Sequence, residues 1–227
     1  MKRMYDFCKM RILLVSATRF EIEPTLQLLQ QKENPFKKHT IEVLITGVGQ
    51  VNTSYLLTVK LMGNKPDFVL QAGIAGTFTE QLSLGQTVLI KQDTFGDSGI
   101  EEKQQFTTLF DAGFAGKNDY PFRNGWLVND TNKLFESSPL AVVKGITINK
   151  ITDSLFQKQQ LVQHFNPAAE SMEGAAFHYV CLQQKVPFLQ LRSISNSVGE
   201  RDKTKWAMKD AIINLNIELE KILISLP

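Results

Sequence analysis

The stretch Glu170-Ser171-Met172-Glu173-Gly174-Ala175-Ala176-Phe177-His178-Tyr179-Val180-Cys181-Leu182-Gln183-Gln184-Lys185-Val186-Pro187-Phe188-Leu189-Gln190-Leu191-Arg192-Ser193-Ile194-Ser195-Asn196 decides the fold. Glu173 stands at the mouth of a helix whose apolar residues Ala176, Phe177, Val180 and Cys181 follow at helical spacing. A turn leads to the apolar run 186–191, which reads as a buried strand, and Arg192, Ser193, Ser195 and Asn196 crowd its end. Ligands of open α/β sheets collect beyond the carboxyl ends of strands, so this polar cluster is the first site candidate.

Working outward, residues 11–17 form a short continuous apolar run of the kind buried on both faces of a parallel sheet. Glu21 and Glu23 open the helix that follows, with Pro24 near its start. Residues 40–46 are a second strand, ending at Gly47-Val48-Gly49. That pair of glycines is half a dinucleotide fingerprint, but Asn52 stands where the third glycine belongs, so it reads first as a strand-to-helix turn. Residues 67–72 form a third strand entering Gly73-Ile74-Ala75-Gly76, and residues 86–90 a fourth. Residues 93–125 lose periodicity and carry Phe106, Phe110, Phe114, Tyr120 and Phe122, which suggests a satellite core or a subunit contact. Residues 140–148 are a strand, Thr152 or Asp153 caps a helix through Phe165, and a final helix includes Trp206. Alternating strands and helices predict one α/β domain over 11–227, with a mixed, mostly parallel central sheet flanked by helices. Residues 1–10 read as a frayed extension, with Met10 an alternative start.

At 227 residues and 43% hydrophobic content the chain can bury one sizeable core. Its formal charge of +2 is spread among both signs, which argues against a nucleic-acid partner. No apolar run is long enough to span a bilayer, and the N-terminus lacks a signal-peptide core, so a cytoplasmic protein is expected. Cys8 and Cys181 lie far apart, and Cys181 falls on an apolar helix face, as a buried reduced thiol would.

His39, His164 and His178 are scattered without metal-ligand spacing, His178 reads as a core histidine, and no serine-nucleophile elbow occurs. No metal or cofactor is called for. What remains is Glu21, Glu173 and Asn196 at strand or helix ends. Taken alone, Glu21 reads first as a first-turn carboxylate favoured by the helix dipole, and its position just past the first strand keeps a site role open.

The pattern Ser171-Met172-Glu173-Gly174-Ala175-Ala176, Val186-Pro187-Phe188 and Leu191-Arg192-Ser193-Ile194-Ser195-Asn196 resembles the nucleoside phosphorylase/nucleosidase superfamily. It is most similar to the methylthioadenosine/S-adenosylhomocysteine nucleosidase branch. Within that branch, Phe95-Gly96-Asp97-Ser98-Gly99-Ile100-Glu101-Glu102 and Asn196-Ser197-Val198-Gly199-Glu200-Arg201-Asp202 look like segments of the futalosine hydrolase subfamily. The resemblance implies a purine nucleosidase that releases hypoxanthine from futalosine in menaquinone biosynthesis. It makes Glu21 the base that activates water, Glu173 the partner of the ribose hydroxyls, and Asn196 the group at the departing base. Met172, Ser171, Ile74, Gly76 and Thr152 become substrate-binding residues, and a homodimer or higher homo-oligomer is implied. Adenine-releasing relatives usually carry Asp where this chain has Asn196. An amide can donate to the 6-oxo group of hypoxanthine, which an ionised carboxylate would repel. Two alternatives stay open: a phosphorylase using Arg19 or Arg192 for phosphate, and a nucleoside-binding protein without catalysis.

Overall fold

Strand β1 (Arg11–Ser16) sends successive side chains to opposite faces of the sheet, and both faces are covered. Ile12 and Leu14 pack with Ile22, Leu26, Leu215, Leu219 and Leu223, whereas Leu13 and Val15 pack with Leu57, Leu61, Phe177, Val180 and Cys181. The continuous apolar run therefore has two cores to fill. The computed structural model describes residues 9–130 and 134–226, so Cys8 and most of the expected extension over 1–10 lie outside the described residues. Met10 already joins the sheet, its carbonyl accepting from Thr40 N at 2.9 Å.

After β1 come α1 (Arg19–Gln30), β2 (Thr40–Ile45), α2 (Gln50–Gly63), β3 (Phe68–Thr77) and β4 (Thr87–Asp93). The aperiodic segment holds a small hairpin, β5 (Gly99–Glu102) with β6 (Gln105–Thr108), and then β7 (Leu127–Val128). Its rings Phe95, Phe110 and Phe122 cluster with Tyr179. The chain continues through α3 (Leu134–Ser137), β8 (Ala141–Thr147), α4 (Leu155–Phe165), β9 (Ala169–Ser171), α5 (Gly174–Gln183), β10 (Phe188–Ser197) and α6 (Met208–Ser225).

The sheet is mixed and mostly parallel. Strands β2, β1 and β3 run parallel, and β3 then pairs with both β10 and β9. Because β10 pairs β4, β4 pairs β8 and β8 pairs β9, these strands close a ring around Ala75, Val88, Ile90, Ala169 and Ile194.

Three local expectations change. Strands β3 and β10 run on through Gly73–Gly76 and Arg192–Asn196, so the supposed polar exit is itself strand. The polar groups of β10 there are paired with the neighbouring strand β3, which lets strand structure outlast the apolar pattern. Helix α4 is capped by Ser154, which accepts from Gln157 N, because Thr152 is engaged elsewhere. Trp206 lies before α6 rather than in it.

Helix α1 starts on a capping box, Thr18 with Glu21, and is interrupted by Pro24. The rung that Thr25 N–H would make to the Glu21 carbonyl is bridged by a side chain of α6. Asn216 Oδ1 accepts from Thr25 N at 3.1 Å and from Thr25 Oγ1 at 2.6 Å, while its Nδ2 donates to Glu21 O at 2.9 Å and Ile212 O at 2.8 Å. One buried amide thus completes two helices. Asn216→Leu strands these groups and is expected to lower unfolding stability on the order of 3 kcal/mol in urea titrations. A loss below about 0.5 kcal/mol, the scale of an ordinary surface change, would show the bridge to be dispensable.

Candidate functional site

A cavity of about 360 Å³ opens where the carboxyl ends of β1, β3 and β10 meet β9 and the start of α5. Glu21, Ile74, Gly76, Ser171, Met172, Glu173 and Asn196 all line it. Thr152 stands one layer back, its N–H and hydroxyl both donating to Glu170, which does line the cavity.

Glu21 is placed by the end of β1 and the first turn of α1, and is 7% exposed. Its Oε2 accepts from Thr18 N at 3.0 Å, Thr18 Oγ1 at 2.8 Å and Ser16 Oγ at 3.3 Å. Its Oε1 accepts from Ile74 N at 3.0 Å and from no other donor among the described residues. A carboxylate offers about four acceptor positions, so Oε1 keeps capacity for another donor such as water.

Glu173 sits just before α5 and is 5% exposed. One oxygen accepts from Gly49 N at 3.0 Å, and the other pairs with Arg192 at 3.4 Å. The Gly47–Gly49 turn is thus a clamp on Glu173, and both glycines hold positive φ, which side-chain-bearing residues rarely adopt. Arg192 is 2% exposed, and its guanidinium also donates to Gln71 Oε1 at 3.2 Å and Ile74 O at 3.3 Å. Gly73 makes this possible, since a Cβ there would lie 2.5 Å from Arg192 Nη1 and 3.0 Å from Glu21 Oε1.

Asn196 is aimed by a β-bulge between Ile194 and Asn196, which brings both Ser195 and Asn196 to the cavity. The Asn196 Oδ1 accepts from Ser195 Oγ at 2.8 Å, and its Nδ2 donates to Ser197 O at 2.9 Å. One amide N–H is left over to face the cavity.

Three groups were not anticipated. Glu170 gave no signal because it reads as the residue ahead of a helix, yet it is 7% exposed and lines the cavity. Burial pushes its carboxyl up to about 7 against the bonds from Thr152, with Asp97 adding to the rise and Arg201 opposing it. Phe20 and Trp206 give the opening an apolar wall, and the Trp206 indole donates to Glu200 O at 3.0 Å. Away from the cavity, His178 is fully buried with Nδ1 against Leu127 O at 3.1 Å, and burial lowers its pKa to about 4. Among the described residues no group of three or more His, Cys, Asp or Glu could hold a metal ion, and no helix is long and apolar enough to cross a membrane.

The phosphorylase superfamily profile matches residues 12–225, and the chain belongs to that family. It is an N-glycosyl hydrolase, and its named relatives place it on the nucleosidase side of the family. Futalosine hydrolase of Thermus thermophilus is 31% identical over 181 residues, covering 79% of this chain and 80% of that protein. A 5'-methylthioadenosine/S-adenosylhomocysteine nucleosidase of Staphylococcus aureus is 28% identical over 163 residues, 68% of each chain. Among solved structures, the nucleosidase of that name from Helicobacter pylori, with butyl-thio-DADMe-Immucillin-A, shares the fold at a TM-score of 0.78. It is 19% identical, with 96% of this chain and all of that one covered.

The raised carboxyl of Glu170 has a stability signature. From pH 4.5, its ordinary value, to about 7, the folded state holds a proton that the unfolded chain has released. Stability therefore falls as pH rises through that window, by on the order of 3 kcal/mol, and levels off above it. Glu170→Gln lacks the titration, so its unfolding free energy should gain on the wild type by that amount between pH 4.5 and pH 8. A pH-independent difference between the two proteins contradicts the assignment.

Proposed function

We propose that this nucleosidase hydrolyses the N-ribosidic bond of futalosine, releasing hypoxanthine, as a step of menaquinone biosynthesis. The observation that carries the reading is two buried carboxylates, Glu21 and Glu173, facing one cavity whose described lining contains neither Lys nor Arg. The likeness to futalosine hydrolase supports the choice of substrate.

An N-ribosidic bond breaks through a sugar cation. Glu173 accepts from the ribose hydroxyls and its charge favours that cation, while Met172 packs on the sugar. Glu21, held by four donors with Oε1 open, takes a proton from the water that adds to the anomeric carbon. Asn196 donates a hydrogen bond through its free N–H to the base, which departs as the purine anion and takes its proton from solvent, and this donor favours a 6-oxopurine. Ser171, Ile74 and Gly76 shape the wall around the substrate. Phosphate has no ready place in this arrangement: Arg19 is solvent-exposed and pairs with Glu23, and Arg192 is spent on Glu173.

A second copy of the chain is the partner we propose for α2. Val51, Tyr55, Val59 and Met62 are exposed at helical spacing, an apolar stripe that a homodimer would cover. Light scattering should give twice the chain mass for the wild type and the single mass for Tyr55→Glu; a monomeric wild type rejects the dimer.

Purified protein should release hypoxanthine from futalosine at a rate indifferent to inorganic phosphate, and Glu21→Gln should cut turnover by about 10²–10⁴-fold, the usual weight of general base catalysis. Phosphate-dependent cleavage with ribose 1-phosphate-type product sinks the hydrolytic reading, and release of adenine alone sinks the choice of base.

A further inference from the structure

Asn196, Gly76 and Glu170 lie side by side on three adjacent strands. Asn196 of β10 is opposite Gly76 of β3, and Gly76 is opposite Glu170 of β9. Residues opposite one another in a sheet present their side chains to the same face. A Cβ on Gly76 would lie 3.0 Å from Val198 Cγ2 and 3.4 Å from Asn196 Nδ2, so the missing side chain lets Asn196 of β10 and Val198 just beyond it pack close beside β3. On that face Asn196 and Glu170 stand two strand spacings apart, roughly 10 Å between their backbones, with the bare Gly76 position of β3 between them. An amide walls one side and a carboxyl the other, and both line the cavity.

Glu170 lacks the company a purely structural buried acid has. Thr152 supplies a donor to each of its oxygens, and no cation pairs with it among the described salt bridges. The carboxylate therefore keeps acceptor capacity toward the cavity, and a buried charge without a cation is costly unless a further donor reaches it.

Resting on the reading that a purine lies beside Asn196, we propose that Glu170 selects a 6-oxopurine by accepting its N1–H. The edge of hypoxanthine runs acceptor, acceptor, donor from N7 through O6 to N1–H. Asn196 supplies the donor for N7 or O6, and Glu170 receives the proton at N1. Adenine inverts the last two places: its 6-amino group donates and its N1 is a lone pair, which a carboxylate repels. The two side chains thus discriminate at two points of one edge, where Asn196 alone discriminates at one.

The test is equilibrium binding of free hypoxanthine and adenine by calorimetry at pH 8, for wild type and Glu170→Gln. Glutamine can donate to the N1 of adenine, so the preference for hypoxanthine should drop by about 10–100-fold in the variant. A wild type with no preference, or a folded variant whose ratio stays within about twofold, overturns the proposal. Should the variant not fold, 1-methylhypoxanthine on the wild type decides: binding at least about tenfold weaker than hypoxanthine is expected, and equal binding refutes it. Since no turnover is involved, a protein that keeps the base preference but leaves futalosine intact would fail the proposed reaction while upholding the role of Glu170.

Discussion

The site depends on one buried cation. A guanidinium that is 2% exposed destabilises the fold unless its charge is paired, and the two terminal nitrogens of Arg192 are served by Glu173, Gln71 and the Ile74 carbonyl, while its Nε has no partner among the described residues. It can reach all three only because β3 has no side chain at Gly73, where a Cβ would collide with it. The same absent Cβ lies 3.0 Å from Glu21 Oε1, so a single glycine sets the approach of the two acids that flank the sugar in the reaction proposed above. Their spacing is a property of the backbone, fixed before any substrate arrives.

Each acid is also held by an element distant in sequence. Glu173 takes the Gly49 N–H from the β2–α2 turn, and Glu21 takes the Ile74 N–H from β3. Behind Glu21, Asn216 of α6 replaces a helix rung weakened by Pro24. The helix that carries the acid is thereby fastened to the last helix of the chain, and the positioning extends through the core rather than ending at the cavity wall.

The elements that carry strong local patterns were legible in the sequence. The run 11–17, the helix after Glu173 and the alternation of strands with helices gave the fold class, because a strand buried on both faces must be apolar throughout. Glu21, Glu173 and Asn196 were readable as polar residues at element ends, and the resemblance assigned them roles. What escaped notice was polar and stabilised from afar. Strand β10 runs on through Arg192, Ser193 and Ser195 because β3, β4 and the Gly85 carbonyl pair them, and no window of ten residues contains those partners. Asn216 and Glu170 carry no local signal, since their partners Thr25 and Thr152 lie far away along the chain.

The bulge at Ser195 shows why residue identity and backbone shape have to be read together. In an unbroken strand Ser195 and Asn196 would face opposite sides. The bulge brings both to the cavity, and the Ser197 carbonyl, which can only accept, fixes which way the Asn196 amide points: Nδ2 turns toward it and the open space, and Oδ1 toward the Ser195 hydroxyl. An aspartate at 196 could accept from the same hydroxyl, but its second oxygen would meet the Ser197 carbonyl, acceptor against acceptor, and would present no donor to the cavity unless protonated. The orientation of the amide and the shape of the strand are therefore one feature, and the choice of a donor at this position is built into the backbone that presents it.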